Sequence, residues 1–351
     1  MSYLQKPKVH HPQLKKNELG LTRRDYEGGI STLCAGCGHD SVTAAIIQAA
    51  WELSIQPHTI AKMSGIGCSS KTPGYFMNTA HGFNSVHGRM PSVTTGAAAA
   101  NRNMVYLGVS GDGDTASIGL GQFAHAMRRR LKMLYIIENN GVYGLTKGQF
   151  SATADFGSLS KQGRPNPYMH IDPVLYALQM GASFVARSFS GDKHQLVPLI
   201  KAGLNHQGFA LIDVISPCVT FNNHEGSTKS YEYVRQHEEE VTAIDFVPRR
   251  EELTTAYEPG ALADVTLHDG STLRLKKLDH SYDPYDSVRA AAYVQTHQAE
   301  GQVVTGLIYV DDKIGDMHEI LGTVGQPLRD LAYSELCPGG EALAKLNGGW
   351  R

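Results

Sequence analysis

One stretch, Val105 to Lys147, constrains this chain more than any other. It runs from Val105 to Ser110, then Gly111-Asp112-Gly113-Asp114, then an amphipathic segment to Arg130. A second apolar run, Leu131 to Glu138, leads into Asn139-Asn140-Gly141-Val142-Tyr143-Gly144-Leu145-Thr146-Lys147. The pattern predicts strand, tight glycine turn, helix, strand and polar turn. Such a unit leaves a carboxylate and a carboxamide at the carboxyl ends of two parallel strands, with a helix amino terminus between them. A divalent cation bound to a diphosphate needs hard oxygen donors of that kind. Asp112 and Asn140 would supply them, with a nearby backbone carbonyl as a third. Glycines permit close approach to phosphate oxygens, and the helix end favours their charge. The plainer alternative is an ordinary strand-helix-strand unit with a hydrogen-bonded Asp and Asn.

At 351 residues and 41% hydrophobic, the chain can bury a full core in one large or two modest domains. A net charge of −2 gives no reason to expect nucleic acid or an anionic membrane as partner. The polar, Lys-rich start lacks the apolar core of a signal peptide, which makes a cytoplasmic protein the expectation.

Residues 1–29 mix Lys, His, Pro and acidic groups without an apolar period and are expected to form an arm; the His10-His11 pair in it is a weak metal candidate. Asp40 or Ser41 can cap a helix to about Leu53. A strand over Thr59 to Gly65 leads to Gly65-Ile66-Gly67-Cys68-Ser69-Ser70-Lys71, and a long loop over Pro73 to Gly88 to a helix opening at Thr95-Gly96. Past the central unit, a polar connector precedes a helix (Asp172 to Met180), a strand (Ser183 to Arg187), a helix (Lys193 to Asn205) and a wholly apolar strand (Phe209 to Ile215). Alternating strands and helices over 59–218 imply an open, mostly parallel, twisted α/β sheet with helices on both faces. Ligands collect at strand carboxyl ends in such sheets. Lys71, Asp112, Asn140 and Cys218 all follow expected strands.

Residues 30–244 are thus expected to form one binding domain and 245–351 a C-terminal extension making subunit contacts. That extension would hold a hairpin turning at Asp269-Gly270, a helix over Tyr285 to Glu300 and a strand over Val303 to Tyr309. Before it, Tyr231, Tyr233 and Glu238-Glu239-Glu240 look like a solvated helix face, and no catalytic constellation is visible past Lys229.

Five cysteines include the close pair Cys34-Ala35-Gly36-Cys37 and the singles Cys68 and Cys218. One pair plus two distant singles suits a [4Fe-4S] cluster or a tetrahedral zinc site, and spacing alone does not choose. Setting favours the cluster, because Cys68 lies three residues before Lys71 beside the expected diphosphate site. Cys337 has no companions and reads as an incidental thiol.

The ordered set Cys-x2-Cys-Gly-His, Ile-Gly-Cys-Ser-Ser, His-Gly-Arg-x-Pro, Gly-Asp-Gly-Asp, Glu-Asn-Asn-x-x-Tyr-Gly-Leu-Thr-Lys-Gly-Gln and Ser-Pro-Cys resembles the beta subunit of 2-oxoacid:ferredoxin oxidoreductases over about residues 20 to 245. Tyr75 to Thr79 with His87-Gly88-Arg89 is most similar to the 2-oxoglutarate branch. The resemblance implies thiamine diphosphate held through Mg2+ by Asp112, Asn140 and the Val142 carbonyl. Ile66, Gly67, Cys68, Ser69, His87, Gly111, Gly113, Asp114, Gly144, Leu145 and Thr146 would contact the cofactor, and Cys34, Cys37, Cys68 and Cys218 would hold a [4Fe-4S] cluster. Lys71, Lys147 and Arg89 are candidates to bind the anionic 2-oxoacid, and His87 to move a proton, although each also suits an ordinary surface or packing role. It further implies coenzyme A as co-substrate and ferredoxin as electron acceptor. An alpha subunit in an α2β2 assembly would supply the pyrimidine-side carboxylate that a single sheet domain lacks. Pyruvate is the competing substrate; a non-redox thiamine lyase or transferase and a zinc-stabilised nucleotide-binding module are the competing classes.

Overall fold

Strand residues alternate between two cores, one on each face of a single sheet. The structure, a computed structural model, describes residues 11–158, 164–219, 253–267, 272–313 and 315–350. Along β3 (Val105–Gly111), β4 (Met133–Asn139) and β8 (Phe209–Ile215), Tyr106, Met133, Tyr135, Ile137, Phe209 and Leu211 enter one core. Leu107, Val109, Leu134, Ile136, Ala210, Ile212 and Val214 enter the other. This period of two puts every strand residue to use, which is why these strands read as continuous apolar runs. The first core is roofed by α2 (Met90–Ala100), α3 (Leu120–Arg128), α4 (Pro173–Met180) and α6 (Ser287–Ala299). The second lies under α1 (Gly38–Glu52) and α5 (Lys193–Asn205).

Among the described residues the sheet has nine strands in the order β2-β1-β3-β4-β8-β7-β11-β10-β9. From β2 (His81–Asn84) through β1 (Ile60–Ser64), β3, β4 and β8 to β7 (Phe184–Phe189) every pairing is parallel. Beyond that edge β11 (Gln302–Val310) pairs antiparallel with β7, β10 (Thr272–Lys277) parallel with β11, and β9 (Leu262–Thr266) antiparallel with β10. Ala290, Val294, Val304 and Ile308 are fully buried in the same core as Val185 and Leu211, so the C-terminal strands extend the sheet rather than stand beside it.

Several local expectations need correction. Helix α1 begins at Gly38, with Cys37 rather than Asp40 or Ser41 at its N-cap. Helix α2 begins at Met90, not Thr95, because Pro91 is tolerated in a first turn, where its missing N–H costs nothing. The loop expected over 73–88 contains β2, an exposed edge strand whose polar sequence carries no alternation. After Gly111 the chain winds as a π-type turn, Gly113–Ile118, before α3 begins; such turns recur at functional sites. His10, the 244/245 boundary, the residues Lys229, Tyr231, Tyr233 and Glu238 to Glu240, and the Asp269-Gly270 turn lie outside the described residues. No helix among the described residues is long and apolar enough to cross a membrane.

Candidate active site

Register brings the candidate ligands together. Gly111 pairs with Glu138, and Asn139 with Ile215, so β4 and β8 end level and β3 one residue earlier, releasing Asp112, Asn140 and Ser216 at the same edge. Asp112 is 1% exposed. Its Oδ1 accepts the Asn140 N–H at 3.3 Å, while Oδ2 accepts the Ser151 hydroxyl and, at 2.7 Å, the Thr153 hydroxyl. Burial raises the Asp112 carboxyl above the ordinary range, and these donors pull it back toward the charged form. Asn140 Oδ1 accepts the Val142 N–H at 3.1 Å, which folds the turn so that Val142 follows directly. Gly113 has no room for a side chain, since a Cβ there would fall 2.5 Å from Tyr143 Cε1. At Gly67, by contrast, the backbone has φ +139° and a Cβ would meet nothing within 4 Å, leaving the face of that loop open.

Asp114 is spent differently from what its motif position suggests. Its Oδ1 accepts the Gly88 N–H at 2.8 Å and its Oδ2 the Ser110 hydroxyl at 3.0 Å. The carboxylate therefore ties the end of β3 to the loop carrying His87, Gly88 and Arg89. Burial raises its carboxyl, and His87 is among the groups that lower it. His87 and Arg89 are exposed, as is Lys71 in the 3-10 turn Ser69–Tyr75. Leu145, Thr146 and Lys147 stand exposed between the short strands β5 (Val142–Tyr143) and β6 (Gln149–Phe150), with Lys147 at φ +79°.

The segments carrying Cys37, Cys68 and Cys218 come together from three directions. A Cβ on Gly38 would lie 2.7 Å from both Ser190 Oγ and Ser216 Oγ, so the start of α1 presses against the end of β8 and carries Cys37 toward Cys218. A Cβ on Gly144 would lie 3.4 Å from Cys218 Sγ and 3.7 Å from Cys68 Sγ. Burial first, and then the neighbouring Glu138 and Cys218, push the Cys37 thiol up. Cys68 is raised by burial and by Cys218 and Cys34, and lowered by Lys71. Each thiol therefore lies within electrostatic reach of another. Cys337 is exposed, its partners being Tyr333 and Gly339. Among the described residues no three His, Cys, Asp or Glu side chains form a ready-made metal site.

Between the thiols and Asp112 lies a buried polar network that motif reading overlooked. His39 Nδ1 is 2.7 Å from Ser216 Oγ and His39 Nε2 is 3.3 Å from Ser69 Oγ. Thr72 donates to Glu138, whose carboxyl is raised well above its usual range by burial. A second network runs outward: Asn139 donates to Asp213 at 3.0 Å, Arg187 bridges Asp213 and Asp172 at 2.8 Å each, and Gln298 of α6 reaches Asp172. The signal available in the sequence was a charged residue inside an apolar strand, as at Glu138, Arg187 and Asp213, because such groups are buried only when partnered.

A family model, the thiamine pyrophosphate enzyme C-terminal TPP binding domain, matches residues 64–214. The chain is 34% identical over 272 residues to a 2-oxoacid:ferredoxin oxidoreductase subunit beta of Saccharolobus solfataricus, covering 76% of this chain and 88% of that one. It is 38% identical over 216 residues to a 2-oxoglutarate synthase subunit KorB of Methanocaldococcus jannaschii, covering 60% and 75%. Among solved structures it resembles a 2-oxoglutarate:ferredoxin oxidoreductase from Magnetococcus marinus with 2-oxoglutarate, coenzyme A and succinyl-CoA bound. The TM-score is 0.67 at 28% identity, over 89% of this chain and 94% of that one.

Proposed function

Because the chain belongs to the beta-subunit family of the 2-oxoacid:ferredoxin oxidoreductases, we propose that it forms the thiamine-binding and electron-transferring half of an enzyme that converts 2-oxoglutarate and coenzyme A to succinyl-CoA and CO2. A [4Fe-4S] cluster held by Cys34, Cys37, Cys68 and Cys218 would supply one-electron chemistry between this site and ferredoxin. One observation carries this reading. Gly144 lies against the sulfurs of Cys68 and Cys218, and only four residues earlier the same segment binds the Asp112 carboxylate through the Asn140 N–H. A metal-anchored coenzyme and a thiolate-bound redox centre would be neighbours across one short loop.

The residues fit both groups. Asp112 is a sealed carboxylate beside a glycine that admits no side chain, which suits Mg2+ on a diphosphate. Asn140 Oδ1 and the Val142 carbonyl would complete the protein's share, with Gly111, Gly113, Ile66, Gly67 and Ser69 lining the cofactor. Cys34, Cys37, Cys68 and Cys218 would hold the cluster, with Gly144 leaving it space. Thiamine diphosphate supplies a nucleophilic carbon and an electron sink. The protein's own task is to hold an anionic substrate in a water-poor place, and Lys71, Lys147 and Arg89 are the cations we assign to it.

Exposed apolar side chains in the loops of this region, Val86, Ile118, Leu145, Phe156, Tyr168 and Met169, support coverage by an alpha subunit, which would also supply the pyrimidine-side carboxylate. Co-purification with that subunit, followed by a 2-oxoacid panel with viologen as acceptor, tests the reading. Turnover by this chain alone, or a preparation free of iron and thiamine, would count against it.

A further inference from the structure

We infer that Ser151 and Thr153 are positioning residues for the metal site: their hydroxyls hold one oxygen of Asp112, leave the other for the cation, and couple the Lys147-bearing segment to it. The inference rests on the reading of Asp112 as a metal ligand and adds residues that no motif marks. An ionised carboxylate offers about four lone-pair sites on two oxygens. Ser151 Oγ and Thr153 Oγ1 both point at Oδ2, and the Asn140 N–H takes one site on Oδ1. Oδ1 is therefore the less occupied oxygen toward the rest of the chain, with one backbone N–H from another residue against two hydroxyls on Oδ2. A cation would approach on that side.

The three donors come from the two ends of one segment. Asn140 starts it and Ser151 and Thr153 close it, with β5, Lys147 and β6 between. The feet are also joined by the backbone, Ser151 N–H to Gly141 O at 3.0 Å. Ser151 Oγ in turn accepts the Thr153 N–H at 3.3 Å. The two residues thus hold each other in place beside the carboxylate, as the partners of metal-bound carboxylates generally are held. Fixing the carboxylate fixes both feet of the segment, and a cation drawn to Oδ1 stabilises the closed arrangement that presents Lys147.

The test uses the full chain, with Mn2+ as a spectroscopic substitute for Mg2+ and thiamine diphosphate present. Binding is followed by electron paramagnetic resonance, and tryptic cleavage after the exposed Lys147 by mass spectrometry. Thr153→Val and Ser151→Ala should each weaken Mn2+ binding by about 10–100-fold, and Thr153→Ser should restore most of it. Metal with coenzyme should slow cleavage at Lys147 in the parent chain but not in Thr153→Val. Ser117→Ala should behave like the parent, because Ser117 accepts the neighbouring Ala152 N–H without touching Asp112. If Thr153→Val does not fold, Thr153→Ala set against Thr153→Ser decides. Parent chain that binds Mn2+, with variants indistinguishable from it, overturns this inference alone. Parent chain that binds none removes the metal-site reading and this inference with it.

Discussion

His39 Nδ1 lies 3.6 Å from Glu138 Oε2, and both side chains are sealed from solvent, at 1% and 0% exposure. Contact of that kind suggests an ion pair, but burial drives both groups the other way. His39 is pushed down to about 4, so its imidazole is uncharged at neutral pH, and Glu138 is raised well above its ordinary range. The pair is held by hydroxyls instead, Ser216 and Ser69 on the imidazole and Thr72 on the carboxyl.

A pH dependence of stability follows from His39. Its folded value lies below that of the unfolded chain, so the unfolded state binds the extra proton. Stability is intact above the ordinary histidine range and falls as pH drops from about 6.5 toward 4. The full effect is about 3 kcal/mol, one pH unit of displacement corresponding to about 1.4 kcal/mol. Denaturant titrations of the parent chain and His39→Asn at pH 7 and pH 5 should show the parent losing more stability than the variant. Equal losses would mean that His39 is charged in the fold.

Glu138 gives the opposite sign. Its folded value is raised, so the unfolded state releases the proton first, and stability declines as pH rises above about 4.5. Glu138→Gln keeps an amide able to accept from Thr72 and removes that decline. The variant should gain on the parent between pH 5 and pH 7 in the same titrations, and a constant gap between the two would contradict it.

Lys62 sits inside β1 at 6% exposure and donates to the carbonyls of Pro73, Phe76 and Met77 at 2.7, 2.7 and 3.0 Å. Burial lowers it to about 8, so it is still charged at neutral pH. Lys62→Met would take the donor from the Pro73 and Phe76 carbonyls, at about 1–3 kcal/mol for each group left unpaired, while the Met77 carbonyl keeps the Ala80 N–H at 2.9 Å. We expect a lower melting temperature and a raised KM for the 2-oxoacid, since the same turn carries Lys71. Unchanged melting would show that water replaces the ammonium.

Single Cys→Ser changes at Cys34, Cys37, Cys68 and Cys218 should each lower bound iron and the broad absorption near about 400 nm of a [4Fe-4S] centre. Cys337→Ser should leave both as in the parent. Zinc in place of iron, with cysteine dependence preserved, would identify the same thiols as a structural metal site instead.

For the substrate, Lys71→Met and Lys147→Met should each raise the KM for 2-oxoglutarate. The lysine facing the distal carboxylate should also narrow the preference for 2-oxoglutarate over pyruvate, by about tenfold or more for a lost charge-assisted hydrogen bond. Parallel kinetics with the two acids measure this, and an identical proportional loss on both would place that lysine at the shared keto-acid end.

Much of the fold was legible because it repeats. Apolar runs at Val105, Met133 and Phe209 gave the strands, and glycine with acid at 111–114 gave the turn between them. What escaped was non-periodic: β2 is polar at an edge, α2 starts through a proline, and β11 turns antiparallel onto β7. Motifs likewise named Asp112, Asn140 and the cysteines, but not Ser151, Thr153, His39 or Arg187, whose roles exist only through partners far away in the chain.

By itself the sequence determined the type of unit and the chemistry on offer: two parallel strands ending in hard oxygen donors, and four thiols in small-residue loops. Those follow from side-chain period and residue type, which are local properties. Only the tertiary structure decided that Gly38 abuts Ser216, that Gly144 lies between two sulfurs, and that Asp114 is turned to Gly88 while Asp112 faces Asn140. Strand register and helix packing set those pairings, and both are fixed by burial summed over the whole sheet rather than by any one segment.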